Sequence, residues 1–268
     1  MNKINFHQTF PPTLNHISGL LYISDMTEEL TKEEISELTG IPTGKSSGKV
    51  EPHIQYAIYM GLLENISSQR GKYMLKLTKL GEIVKYEDPG LREEVTQLLC
   101  HCRITSPSTG AFLWRHIIRD ILPRYSEGIS YFLLEDELKR HIESNINYGP
   151  FYSSYENSFD TFNLVERAKD CLKIIPQGYK DELLYVYAYN LLYEWEQQFP
   201  EYDEITADQL ALLKTGSAFG MSKSEEYYVF EKLSENRIIR INAQLSPYTI
   251  IRNTSSEAVL DKVYSLLL

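Results

Sequence analysis

The sequence is poor in sulfur and tryptophan, with three cysteines and two tryptophans in 268 residues. A sparse, odd cysteine set excludes a disulfide framework and fits a reducing compartment, so the expected location is the cytoplasm. No run of eighteen uncharged apolar residues occurs, so a helical membrane span is not expected. The opening Met1-Asn2-Lys3-Ile4-Asn5-Phe6-His7 lacks the apolar core of a secretory leader. Also missing are Gly-x-x-x-x-Gly-Lys and Gly-x-Gly-x-x-Gly. Nothing therefore marks a phosphate loop or a dinucleotide site.

What is present is negative charge, unevenly placed. The net charge is −10, yet residues 1–126 hold 14 basic and 14 acidic side chains. Residues 205–268 hold 7 of each, so the deficit lies in 127–204, with 6 basic against 16 acidic. An acidic middle repels nucleic acid, so any such contact belongs to the flanks. The same charge also serves as an ordinary solubilising surface.

Residues 27–88 read as a winged helix-turn-helix. Thr31 with Glu34 three residues on is a capping box, and Gly40-Ile41-Pro42 ends that first helix. A second helix is predicted over Val50–Leu62. Strand-like runs Leu62–Ile66 and Tyr73–Thr78 follow, joined by the polar turn 67–72. A lead-in helix is expected near Leu14–Ser24 after Pro11-Pro12, and Thr78 is placed to cap a further one. The predicted fold class is mainly α with small β-hairpins, in three regions. These are a winged helix-turn-helix at 1–90, a helical acidic middle at 91–204 and a second winged helix at 205–268.

Within the middle, helices are predicted over Glu93–Ile104, Ala111–Leu122, Phe132–Ile146, Ser158–Ile175 and Leu183–Phe199. Residues 145–157 are rich in Tyr, Ser and Asn and read as a loop. The last region repeats the opening order, with helices at Thr206–Lys214 and Ser222–Leu233 and strands at Asn236–Ile241 and Tyr248–Arg252. It closes on a helix over Ser255–Leu268.

A winged helix docks its second helix in the major groove and its wing on phosphates. On a helical wheel Val50, Ile54, Ala57, Ile58 and Gly61 share the core face, leaving Pro52, Gln55, Tyr56 and Tyr59 outward. Gln55 can pair with adenine and Tyr56 can reach a phosphate. Lys45 and Lys49 precede this helix, Arg70 and Lys72 lie in the wing, and Lys76 and Lys79 follow. Residues 41–85 hold seven basic and three acidic side chains. This pattern suits phosphate positioning rather than base reading. Surface lysines are also often merely solvated, and winged helices also bind proteins. The C-terminal module is less basic and reads as a packing or dimerising element, which would make a homodimer.

A second basic cluster is Arg115 and Arg119, four residues apart, flanked by Arg103 and Arg124. The pair can clamp a phosphate, or it can pair with Glu135 or Asp136. Cys100-His101-Cys102 invites a metal, but neighbours on a helix point about 100° apart and no second ligand pair follows. Core cysteines are the better reading, and no metal ligands are assigned. Asp160, Glu166 and Asp170 form no pattern that marks a catalytic site.

Several short motifs occur together. They are Phe6-His7-Gln8-Thr9-Phe10-Pro11, Leu77-Thr78-Lys79-Leu80-Gly81-Glu82, Glu87-Asp88-Pro89-Gly90-Leu91 and Leu98-Leu99-Cys100-His101. Their order and spacing resemble a bacterial family known as "domain of unknown function four-thousand-and-seven". The resemblance implies a role beside DNA phosphorothioate modification and related anti-phage defence clusters. Such clusters encode a cysteine desulfurase, a sulfur-transferring ATP pyrophosphatase and an ATPase, and members of Ssp-type systems are assigned DNA nicking. Thr96-Gln97 stands where the family usually has tryptophan. No catalytic motif transfers residue by residue, and magnesium or manganese would be needed only if the protein nicks.

Three readings follow. One is a DNA-binding component of such a system that contacts double-stranded DNA, with or without nicking. Another is a non-enzymatic adaptor for partner proteins of the cluster. The last is a winged-helix transcriptional regulator.

Overall fold

The structure, a computed structural model, describes residues 4–44, 48–141, 145–244 and 247–267. Lys45 lies outside the described residues. The chain is mainly helical, with three small antiparallel sheets among the described residues. No helix there is long and apolar enough to cross a membrane.

Helix α1 (Leu14–Ile23) buries Ile17, Leu20 and Leu21, a stripe at helical spacing. Helix α2 (Lys32–Thr39) begins on the capping box. Thr31 Oγ1 accepts from the Glu34 N–H, and the Glu34 carboxylate takes the Thr31 N–H at 2.7 Å. Gly40 ends it at φ 71°, a left-handed conformation that suits glycine. Helix α3 spans Val50–Tyr59, and strands β1 (Leu63–Asn65) and β2 (Leu75–Leu77) pair antiparallel, with Glu64 opposite Lys76. Leu30 and Tyr73 exchange backbone hydrogen bonds of 2.8 Å, which ties the segment before α2 to the hairpin.

Thr78 caps α4 (Lys79–Glu87) through the Gly81 N–H at 3.0 Å. Gly81 has a packing reason to be glycine. A Cβ there would lie 1.9 Å from the Leu62 carbonyl oxygen, so α4 can meet the hairpin only through a bare Cα. Helix α5 (Glu94–Ile104) is buried on nearly every face.

The middle departs from the predicted run of helices. Helix α6 (Phe112–Arg115) passes into a π-helical stretch, His116–Ile121, and stops in a 3₁₀ turn at Leu122–Arg124 around Pro123. Strand β3 (Ile129–Ser130) then leads into α7 (Tyr131–Lys139), shorter than the predicted Phe132–Ile146. Residues 145–157, expected as a loop, hold helix α8 (Gly149–Ser153) and most of the π-helical turn Ser154–Ser158. Phe151, Tyr155 and Phe159, four residues apart, bury their rings and stabilise this helical path.

The predicted helix over Ser158–Ile175 is replaced by strands β4 (Val165–Arg167) and β5 (Cys171–Ile174), which with β3 form a sheet in the order β3-β5-β4. In β5 Leu172 and Ile174 are buried while their neighbours are half-buried. That period of two belongs to a strand.

Helix α9 (Leu184–Gln198) is buried over most of its length. Strand β6 (Glu204–Thr206) precedes α10 (Ala207–Leu212), which opens on a Thr206–Gln209 capping box. Helix α11 (Lys223–Glu235) opens on a Ser222–Glu225 box, and strands β7 (Ile239–Asn242) and β8 (Thr249–Arg252) join β6 in the order β6-β8-β7. The predicted closing helix is regular only over α12 (Ser256–Leu260) and continues as turns.

Two compact units result. One gathers Met1–Ile104, Ala111–Leu113 and Glu143–Thr161, with α5 at its centre. The other gathers Thr105–Gly110, Trp114–Ile142 and Phe162–Leu268, built around α9.

Candidate nucleic-acid interface

Helix α3 decides how much of the first unit can face a ligand. Its buried side is wider than the wheel predicts and takes in Pro52, His53 and Tyr56. The cause is the chain's opening segment. The Phe6 ring meets Tyr56 edge-on at 4.9 Å, and the His16 ring meets His53 at 4.7 Å. Tyr56 is 0% exposed and its hydroxyl donates to the Phe10 carbonyl at 3.0 Å. This corrects its place among the phosphate-reaching residues.

Glu51 and the half-buried Gln55 remain outward on the helix, and Glu51 accepts a 2.8 Å hydrogen bond from the Tyr73 hydroxyl. Lys49, half-buried at the start of α3, lies 5.7 Å above the Phe10 ring. In the hairpin Arg70 and Lys76 are exposed and Lys72 is half-buried. Asn65 Oδ1 fixes the turn between the strands by accepting from the Ser67 and Met74 N–H groups at 3.2 and 3.0 Å.

Beneath Lys49 the histidines are neutral. His53 Nε2 accepts from the Thr13 N–H at 3.0 Å, so its Nδ1 carries the proton, donated to the Lys49 carbonyl at 2.6 Å. Burial pushes His53 down to about 4, and His7, also fully buried, down to about 4 as well. Burial and the Lys49 ammonium lower His16.

Arg115 is half-buried, whereas Arg119 is 2% exposed. The Arg119 guanidinium donates to Thr105 Oγ1 at 3.2 Å, the Lys214 carbonyl at 2.9 Å and Asn190 Oδ1 at 3.0 Å. Its place as a surface clamp is corrected, because every one of these acceptors is internal. These acceptors include neither Glu135 nor Asp136, and the flanking Arg124 holds Glu137 at 2.7 Å.

Cys100, His101 and Cys102 are buried. His101 Nδ1 and the Tyr155 hydroxyl are 3.0 Å apart, and burial pushes the Cys100 thiol up. Among the described residues no three of His, Cys, Asp and Glu come together as a donor set for a metal ion. No residue is assigned to a magnesium or manganese ion, and no step is routed through either.

Sequence reasoning missed an open polar cleft of about 730 Å³ in the first unit, bordered by Pro11–Asn15, Gly90–Arg92 and Ser153–Thr161. Gln97 anchors one wall. Its amide donates to the Leu91 carbonyl at 3.2 Å and Asp160 Oδ1 at 2.9 Å, while its carbonyl accepts from Thr161 Oγ1 at 2.8 Å. Two of the motif segments, ending in Pro11 and in Leu91, meet here.

Comparison with known proteins bears on the fold. Two crystal structures of SspB, one of them magnesium ion-bound, superpose on 98% of this chain and 86% of their own. The chain shares its fold with SspB. The TM-scores are 0.74 and 0.71 at 16% and 14% identity, with the lower values belonging to the magnesium-bound form. No family model and no curated protein matches the sequence. At this identity the SspB likeness establishes architecture and leaves chemistry to the residues.

Proposed function

We propose that this chain is a DNA-binding component of a bacterial DNA phosphorothioate-modification or anti-phage defence system of the Ssp type. It would act in the cytoplasm beside partner proteins of that system. The SspB fold supports the system, in the direction the motif resemblance implies, although no family model matches the sequence. The observation that carries the DNA reading is the order of α2, α3 and the hairpin, which we read as a winged helix-turn-helix, with Lys49, Arg70, Lys72 and Lys76 arranged around it.

The module holds backbone rather than reading bases. Its helix offers Gln55 as the one outward base-reading side chain, and Glu51 beside it opposes close approach of phosphate. Nicking is the activity the family resemblance implies, and no residue here is assigned to it.

Glu51 also favours a second reading, an adaptor whose winged helix binds a partner protein. Titration of the purified chain with duplex DNA at two salt concentrations separates the two. The DNA reading expects binding that weakens steeply with salt, with a slope that flattens by about three in the Lys49→Ala, Arg70→Ala, Lys72→Ala triple variant. Absence of binding at low salt leaves the adaptor. Plasmid relaxation with added magnesium or manganese then tests nicking.

A further inference from the structure

The second unit contains most of the acidic stretch of the chain, yet one open cleft in it, of about 790 Å³, is rimmed by Arg124, Arg140, Lys214 and Lys223. Its carboxylates lie low and are already engaged. Glu226 accepts from the Thr215 hydroxyl at 2.8 Å and the Gly216 N–H at 2.6 Å, and holds Lys223 at 3.3 Å. Glu137 holds Arg124 at 2.7 Å and Arg140 at 3.3 Å, and Asp120 holds Lys214.

Arg140 is also held at 2.9 Å by Asp136, a half-exposed carboxylate outside the cleft lining; within the lining the exposures split by sign. The side chains of Asp120, Glu137 and Glu226 are 25%, 11% and 13% exposed, against 53%, 62%, 41% and 83% for the four cations in sequence order. A guanidinium has five donors and an ammonium three, so one or two carboxylate bonds leave donors over on each. The carboxylates thus orient the cations and present their remaining N–H groups to the cleft.

A cleft this size with four cations suits a ligand bearing several successive anionic groups, not a lone ion. We infer that it is a second phosphate-binding site, which takes the phosphodiester backbone of DNA. This rests on the reading that the chain handles DNA, but it uses residues of the other unit.

The test is the salt dependence of duplex binding by the full chain, comparing wild type, the Lys49/Arg70/Lys72 triple variant and an Arg140→Gln, Lys214→Gln, Lys223→Gln variant. The cleft variant is expected to flatten the slope by about three. Because it leaves Asp120, Glu137 and Glu226 less well paired, Lys223→Gln alone, which touches only Glu226 of the three, is also measured. It should flatten the slope by about one with an unchanged melting temperature.

Duplex DNA should also protect Lys214 and Lys223 from acetylation. An unchanged slope in both cleft variants, with the N-terminal triple variant flattened, overturns the cleft and leaves the docking module standing. The reverse pattern supports the cleft and overturns the docking module. Protection by ATP or polyglutamate but not by DNA assigns the cleft to another anion and overturns the inference.

Discussion

Replacing Arg119 by methionine tests whether this arginine is an internal tie. Methionine keeps much of the volume and removes the charge and all the donors. Three close acceptors lose a partner, Thr105 Oγ1, the Lys214 carbonyl and Asn190 Oδ1, and so does the Thr215 carbonyl at 3.5 Å. Hydrogen bonds to a charged group contribute about 1.5–3 kcal/mol each, so the three together set a gross loss of roughly 4–9 kcal/mol. Relief of the desolvation cost of a buried guanidinium offsets part of this. Asn190 keeps its own bond to the Thr215 carbonyl at 3.1 Å, which limits the collapse. The net expectation is a loss of about 3 kcal/mol. In a unit of this size that is a fall in melting temperature on the order of 10 °C. Urea unfolding and a thermal melt measure it, with Arg115→Ala alongside, expected to stay within about 0.5 kcal/mol. A variant as stable as wild type that binds DNA less tightly would refute the internal role and restore Arg119 as a ligand contact.

Two further outcomes concern the first unit. Gly81→Ala places a Cβ 1.9 Å from the Leu62 carbonyl oxygen, so α4 and the hairpin must part. Stability should fall on the order of 2 kcal/mol despite alanine's better helix propensity, while Gly19→Ala, 3.4 Å from a threonine methine, should stay within about 1 kcal/mol. His7 and His53 are held neutral at about 4 against 6.5 when unfolded. Their contribution is complete above pH 6.5 and is lost as pH falls toward 4, because the unfolded chain binds those protons first. At pH 5 the loss should be roughly 2 kcal/mol per histidine. A urea midpoint unchanged between pH 7.5 and 5 would show that neither histidine is held neutral by the fold.

Local signals were legible where one segment decides its own structure. The Thr31–Glu34 box, the Thr78 cap and the Gly40 stop all act within a few residues, and the elements they bound stand where the sequence predicts them. The 158–175 segment misled because Leu164, Val165, Leu172 and Ile174 are compatible with either period over so short a run. Pairing of β5 with β3, forty residues earlier, settled the choice. Likewise the π-helical turn at Ser154–Ser158 depends on packing of Tyr155 and Phe159 around His101. The sequence offers no such partner nearby.

Depth was the least legible property of the candidate site. Tyr56 and Arg119 carry groups that look outward on a wheel or in a charge count, yet distant segments cover both. The Phe6–Pro12 stretch closes over Tyr56, and the Lys214–Thr215 backbone takes up Arg119. The correction bears on function. Removing Tyr56 from the face of α3 leaves a helix that can offer duplex DNA a glutamine and a glutamate, with the cations on either side of it. A base-reading helix needs donors at its centre, whereas a backbone clamp needs them at its edges. On the proposed DNA reading, the burial of Tyr56 therefore favours phosphate contact over base reading. It also makes steep salt dependence with weak sequence preference the pattern that distinguishes a DNA clamp from a regulator.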